Sequence, residues 1–443
     1  MFNRNPFCMN KIIKLLVLLF VSVPLSAQEL LTAEEAIRIA LDNNYSIKIA
    51  RNELEIDKTG VSWGNAGILP SIGLTANSNN SIQSTRQTRA SGDIIEIDNA
   101  RSNNLNYGVV ADWTLFDGFR MFARYDQLKE LEKLGEAELQ QTILSRVSDV
   151  LITYFDLVQQ QQQLSALDST LVISEQRVEL AQNRFTIGRS SRLEVLNAQV
   201  DLNTDRTTML RQEELFDNTK VQLNELLARD PAIDFRVQED IRVDDQLLLE
   251  NLEQLAMAQN PSLQAQIINR NITQLQLKQV RAGRYPSIAA STGYIFSQNE
   301  SPVGFTTFGR TEGFNYGLTA RLNIFDGLNQ NRSEQIAKLQ LENSEIAIEE
   351  QTLTLQSRLQ TAYQTYLTNI RLMELERENE AIARQNLDIT MEKFRIGTIP
   401  TIEFRTAQLN YINAMVRHSN AKFQAKLSEI TLKEFAGLLA IEN

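Results

Sequence analysis

Hydrophobic and polar positions along the 443-residue chain alternate between a helical period and a period of two. Between Thr32 and Trp63, Ala36, Ile39, Ala40, Ile47 and Ala50 recur at spacings of three, four and seven, which predicts an amphipathic helix over 32–63. Thr32, with Glu35 three residues later, has the form of a capping box. The Gly-rich stretch from Gly64 to Gly67, just before Pro70, stops the helix. The period then becomes two. Ile72, Leu74 and Ala76 alternate with Ser71, Gly73, Thr75 and Asn77 and predict a strand over 70–80. Leu105, Tyr107, Val109, Ala111, Trp113 and Leu115 alternate with smaller or polar residues and predict a second strand over 105–116. The polar segment from about Asn79 to Asn104 has no apolar period and reads as a long loop.

Very long helices follow. From Phe119 to Phe185 there is no proline, and Gly135 is the only glycine. Val147, Val150, Tyr154 and Val158, then Leu164, Leu167, Leu171 and Val178, hold a near-heptad stripe, which predicts a helix over 119–185, ~100 Å long at ~1.5 Å per residue. Gly188 interrupts it, and a return helix is expected over 191–229. A connector over 230–243 leads to the same succession again: helix 246–283, strands 287–297 and 314–325, and helices 329–394 and 401–439.

Landmarks recur in the same order. Phe116-Asp117-Gly118 returns as Phe325-Asp326-Gly327 and Phe185-Thr186-Ile187-Gly188 as Phe394-Arg395-Ile396-Gly397, both offset by 209. Pro70-Ser71-Ile72 returns as Pro286-Ser287-Ile288 and Asn44-Tyr45-Ser46 as Asn260-Pro261-Ser262, both offset by 216. Ordered repetition of this kind marks a duplicated unit, with a first repeat over 28–229 and a second over 244–443.

Residues 1–27 have the form of an export signal. Arg4, Lys11 and Lys14 are basic, Leu15 to Val21 are apolar, and Ser26-Ala27 offers a small-residue exit. Its removal would take the net charge from −11 to −14, which argues against nucleic acid as a partner. Cys8, the only cysteine, lies in that segment, so disulfides and thiolate chemistry are excluded from the exported chain. No later stretch is long enough for a transmembrane helix. An exported chain with amphipathic strands of ~10 residues then suggests strands that face lipid on one side and water on the other. Four strands are too few to close a barrel, and open edges in lipid are forbidden, so copies must assemble. The residues alone lead to a self-assembled pore with a long helical extension.

The chain also resembles the TolC-like outer-membrane efflux proteins over essentially its whole mature length. The likeness rests on the paired strand-to-helix turns, Phe116, Asp117, Gly118 and Phe325, Asp326, Gly327. It rests equally on the helix-tip segments, Arg184 to Gly188 continuing to Glu194 and Gln199, and Lys393 to Gly397 continuing to Glu403 and Gln408. The resemblance implies an α plus membrane β-barrel fold: a duplicated β-hairpin and coiled-coil hairpin, with four strands per chain in a trimeric 12-stranded barrel above an α-helical periplasmic tunnel. It implies a homotrimer in outer-membrane lipid, a periplasmic membrane-fusion (adaptor) protein, and through it an inner-membrane RND or ABC pump. The adaptor would meet the tips Ile187, Gly188, Arg189 and Ile396, Gly397, Thr398, and acidic Glu194 and Glu403 would narrow the entrance. Some members lock that entrance with a tyrosine–arginine–aspartate network, but Phe394, Ile399 and Thr406 stand at those positions here.

An enzyme is not expected. The sole histidine, His418, sits in the polar run Arg417-His418-Ser419-Asn420, and adjacent carboxylates such as Glu213-Glu214 point ~100° apart on a helix. No catalytic residue, cofactor or metal site is predicted. The rival reading is a periplasmic coiled-coil scaffold or adaptor with soluble hairpins, which carbonate would extract from membranes.

Overall fold

The computed structural model describes residues 29–303 and 306–439. The expected export signal lies outside them. In chain order the elements are β1 (Glu29–Leu31), α1 (Ala33–Asn43), α2 (Tyr45–Gly60), α3 (Trp63–Ala66), β2 (Ser71–Thr88), β3 (Ile94–Phe116), α4 (Arg120–Thr186) and α5 (Arg192–Leu226). Then come β4 (Phe235–Val237), α6 (Leu249–Gln259), α7 (Pro261–Ala282), β5 (Ser287–Glu300), β6 (Phe308–Arg321), α8 (Asn329–Arg395) and α9 (Thr401–Phe435). Each long helix has 67 residues and each return helix 35.

Two compact units share these elements. The first takes residues 29–45, 145–247 and 361–434. Its core is the helical stripe: Val147, Val150, Tyr154, Leu157 and Val158 are buried, with Leu223, Tyr366 and Leu432. The Tyr154 hydroxyl donates to the Leu31 carbonyl at 3.0 Å and accepts from the Gln238 amide at 3.2 Å, which anchors the parallel β1–β4 pair to α4. The expected connector therefore contains a strand, supplied with a partner by residues ahead of α1.

The second unit holds the sheet and the helix segments next to it, 46–144 and 248–360, with the chain end from Phe435. Strand order is β2-β3-β5-β6, antiparallel throughout. α7 joins α4 through Gln279 to Gln127 (2.7 Å) and Asn271 to Glu130 (3.1 Å). It meets α8 where Arg281 and Arg284 converge on Glu334.

Several expected boundaries need correction. The helices expected over 32–63 and 246–283 are each broken, at Asn44 and Asn260. The Asn44 amide donates to the Leu226 carbonyl (2.8 Å) and the Asn260 amide to the Phe435 carbonyl (3.0 Å), so each break ties down the last turn of a return helix. Asn260 also caps α7, whose first residue is Pro261. The long loop expected over 79–104 is mostly strand, because β2 and β3 continue to Thr88 and Ile94 as a two-stranded ribbon beyond the shared sheet. Both ribbon faces are largely wet, so backbone pairing holds it without leaving an apolar period. The strands expected over 287–297 and 314–325 run instead over 287–300 and 308–321.

Candidate functional site

The register puts one continuous apolar surface across all four strands. Leu74, Val109, Tyr294 and Phe314 are directly paired, as are Ile72, Ala111, Thr292 and Tyr316. Trp113, Ala290 and Leu318 form the next row. Tyr107 stacks on Phe296 with ring centroids 5.1 Å apart. Leu74 is 80% exposed and Tyr316 82%, so nothing among the described residues covers them. The opposite rows are mostly small or polar: Gly73, Val110, Gly293 and Asn315, then Asn77, Asn106, Ser297 and Thr311, with Val110 the apolar exception among these. Strands β3 and β5 approach so closely that a side chain at Gly108 would strike the Tyr294 carbonyl, and one at Gly293 would lie 2.7 Å from the Val109 oxygen. Among the described residues the outer strands β2 and β6 each leave one edge unpaired.

The strand-to-helix turn in the first copy is a cap. Gly118 and Phe119 both have positive φ (73° and 67°), and the Asp117 carboxylate accepts the Met121 amide at 3.0 Å. The second copy repeats this with Gly327 (68°), Leu328 (64°) and Asp326, which accepts the Gln330 amide at 2.7 Å. Phe116 packs edge-on against Phe119, whereas Phe325 is exposed.

The helix tips come together in the first unit. Gly188 and Gly397 adopt φ of 74° and 80°, a conformation that costs glycine nothing. All six tip residues, Ile187, Gly188, Arg189, Ile396, Gly397 and Thr398, are exposed. Arg184 Nη2 donates to the Phe394 carbonyl at 2.7 Å, and its guanidinium lies 4.7 Å from the Phe394 ring centroid. Phe394 in turn stacks on Phe404 at 4.9 Å. Between the hairpins is a cavity of about 400 Å³ lined by Arg184, Glu194, Asp201, Pro400, Thr401 and Arg405, among others. Glu194 turns into it and accepts from the Ser190 and Thr401 hydroxyls. Burial would raise its carboxyl, but those hydroxyls and the Arg184 charge outweigh burial and hold it below the usual range. Glu403 is exposed on the first turn of α9 and does not share that pocket.

Behind the tips lies a buried polar layer that periodicity did not single out. Arg405 makes two hydrogen bonds to Asp205, at 2.8 and 2.9 Å. Ser174 donates to Asp205 at 2.6 Å, Gln408 to Ser174 at 3.2 Å, and Arg177 to Asp201. A signal did exist. Thr170, Ser174, Arg177 and Ala181 keep the four-three-four spacing of a helix seam and are all buried. Asp205 likewise continues Val195, Ala198 and Leu202. The seam runs on in polar residues, so a search for apolar ones loses it.

A sequence model described as "Outer membrane efflux protein" matches residues 36–229 and again 252–438. The chain belongs to that family. Two curated relatives agree: "Protein CyaE" of Bordetella pertussis is 22% identical over 416 residues, 91% of this chain and 84% of the relative. "Outer membrane protein TolC" of Vibrio cholerae is 23% identical over 400 residues, 86% and 85%. Among solved structures, the Campylobacter jejuni CmeC outer membrane channel superposes with a TM-score of 0.76 at 17% identity, covering 92% of this chain and 86% of that one. This member of the outer membrane efflux protein family is therefore an exit duct for efflux or secretion, seated in the outer membrane with its helical part in the periplasm. The scaffold alternative is set aside.

Proposed function

We propose that three copies of this chain close around one axis as a twelve-stranded barrel continued by an α-helical tunnel, a passive conduit in a tripartite efflux or secretion assembly. The sheet carries this reading: four strands, apolar on one face and wet on the other, with open edges at β2 and β6. Unpaired backbone groups find no water in a bilayer, and four strands cannot close alone. Joining β2 of one copy to β6 of the next removes every edge and turns the apolar face to outer-membrane lipid. Leu105 to Leu115 span ~33 Å along β3, or ~23 Å of height at a tilt of ~45°, close to the ~25 Å apolar band of such barrels.

The helices support the same closure. Leu196 and Leu210 on α5, and Ile389 and Leu375 on α8, are exposed apolar residues. Leu196 and Ile389 lie eight positions from their tip glycines, and Leu210 and Leu375 twenty-two. α5 leaves the tip while α8 approaches it, so these layers meet when α5 of one copy lies along α8 of the next. Leu375, Ile382 and Ile389 keep the heptad interval that such a seam requires. Two different surfaces in head-to-tail contact make a ring.

In this reading the exposed tips, with Gly188 and Gly397 at their turns, dock a periplasmic membrane-fusion (adaptor) protein. That protein links the duct to an inner-membrane RND or ABC pump, while Glu194 and Glu403 flank the entrance. Sedimentation in detergent should give a trimer; a monodisperse single subunit would end the proposal. Replacing Gly188 and Gly397 together with tryptophan should leave the trimer intact and abolish export, and undiminished export would remove the docking role.

A further inference from the structure

We infer that Arg281 and Arg284 at the end of α7, with Lys338 on α8, form a binding site for the phosphodiester of an anionic phospholipid headgroup. The inference rests on the membrane-barrel reading above and adds which lipid the barrel selects beside its helices.

Three cations converge here on one carboxylate. Glu334 Oε1 receives Arg281 Nε at 3.2 Å and Lys338 Nζ at 3.3 Å, and its Oε2 receives Arg284 Nη2 at 2.7 Å. Arg284 Nη2 also donates to the Asn331 side-chain oxygen at 2.8 Å. The Glu334 side chain is 12% exposed, whereas Arg281 and Arg284 keep 49% and Lys338 55%. One carboxylate thus orders three cations from the protein side and leaves two positive charges uncompensated. Among the described residues Arg281 engages through Nε alone, so both of its Nη groups remain for a phosphate, which a guanidinium fork holds with two parallel bonds. The surroundings add to the field. α7 carries Arg270, Lys278 and Arg281 and no acidic residue, in a chain of net charge −11. The next carboxylates of α8, Glu342 and Glu345, lie about 6 and 10 Å farther along the helix than Lys338.

The cluster opens on the side of the apolar sheet face. Viewed onto that face with the helices below, β5 ascends, and Tyr294 aims its carbonyl at β3. An L-residue facing the viewer on an ascending strand directs its carbonyl to the right. β3 and α4 therefore stand to the right of β5 and α7, and β6 and α8 to the left. α7 turns Asn271 and Gln279 toward α4. At ~100° per residue in a right-handed helix climbing toward β5, Lys278 and Arg281 then emerge on the viewer's side. Arg284 precedes Ile288, the apolar-face residue of β5 nearest the helices, by four positions. At ~3.3 Å per residue and a tilt of ~45° that is no more than ~9 Å of height. The headgroup layer extends ~5–8 Å beyond the hydrocarbon, so the Arg284 side chain reaches phosphate level.

The purified channel in a non-ionic detergent is titrated with dioctanoyl phosphatidylglycerol, and native mass spectrometry counts retained lipids and subunits together. Zwitterionic dioctanoyl phosphatidylethanolamine tests the charge, and glycerol 3-phosphate tests the headgroup without its tails. The native protein should hold phosphatidylglycerol about tenfold more tightly than either, and Arg281→Gln with Arg284→Gln should erase that margin. If that variant does not assemble, Lys278→Gln with Lys338→Gln decides, and it should narrow the margin about threefold. Equal retention of the two lipids, or a margin that the variants leave untouched, overturns the inference. Glycerol 3-phosphate held as tightly as the lipid marks a soluble-phosphate site and overturns it too. Subunits that appear singly count against the trimeric barrel, whichever lipid they retain, which is a separate result.

Discussion

Arg405 and Asp205, 200 positions apart in the chain, meet in a two-bond ion pair at 2.8 and 2.9 Å inside the first unit. Removing one member leaves the other charged and buried, which costs about 3–5 kcal/mol, whereas replacing both with apolar residues of similar volume is often near neutral. Asp205→Ala should therefore destabilise the protein strongly, and Asp205→Leu with Arg405→Met far less. Urea unfolding in detergent of Asp205→Leu, Arg405→Met and the double variant provides the double-mutant cycle, and additive losses would show that the pair is not coupled.

Gly108 and Gly73 lie on the same face of neighbouring strands but differ in surroundings. A side chain at Gly108 meets the backbone of β5, and one at Gly73 meets nothing within 4 Å. Gly108→Val should prevent assembly of membrane-inserted protein, while Gly73→Val should be recovered from outer membranes near the native level. Equal recovery of the two variants would contradict the close approach of β3 and β5.

Glu334 receives Arg284, Lys338 and Arg281, and its carboxyl is pulled from the ordinary 4.5 down to about 2, chiefly by the Arg284 hydrogen bond. A depressed folded value means the contribution is whole above about 4.5 and is lost as pH falls toward about 2. Glu334→Gln should accordingly lower the melting temperature at neutral pH and flatten its further fall between pH 4.5 and 2. Parallel acid limbs in the two proteins would refute the assignment.

Asn260→Ala should cost about 2 kcal/mol, since it removes both a helix cap and the bond to Phe435. Asn44→Ala removes the matching bond to Leu226. Hydrogen exchange should then quicken in the last turn of α9 for the first variant and of α5 for the second, with no crossover between them.

Much of this was legible because period and duplication reinforce each other. Trp113 and Leu318 announce strands, and Val147 to Val158 announce a coiled seam. The breaks at Asn44 and Asn260 were missed because the apolar period runs straight through them; Pro261 marks the second as a helix start, whereas the first is explained by the Asn44 amide's distant carbonyl partner. Arg177 and Asp205 were hidden for the opposite reason, since they occupy seam positions with the wrong polarity. The tip turns were readable from Gly188 and Gly397. That Glu194 would reach across to Thr401 while Glu403 stays exposed was not, because that choice depends on how the hairpins lie together.

The β2–β3 ribbon ends in the turn from Arg89 to Asp93, where Gly92 has φ of 91° and the Arg89 amide donates to the Asp93 carbonyl. It projects past the last rung shared with β5, at the end of the sheet away from the helices. In the proposed barrel that bend stands like a flagpole above the cell surface. A short epitope spliced between Ser91 and Gly92 would let an antibody count these proteins on living cells while the bilayer-spanning rungs stay undisturbed.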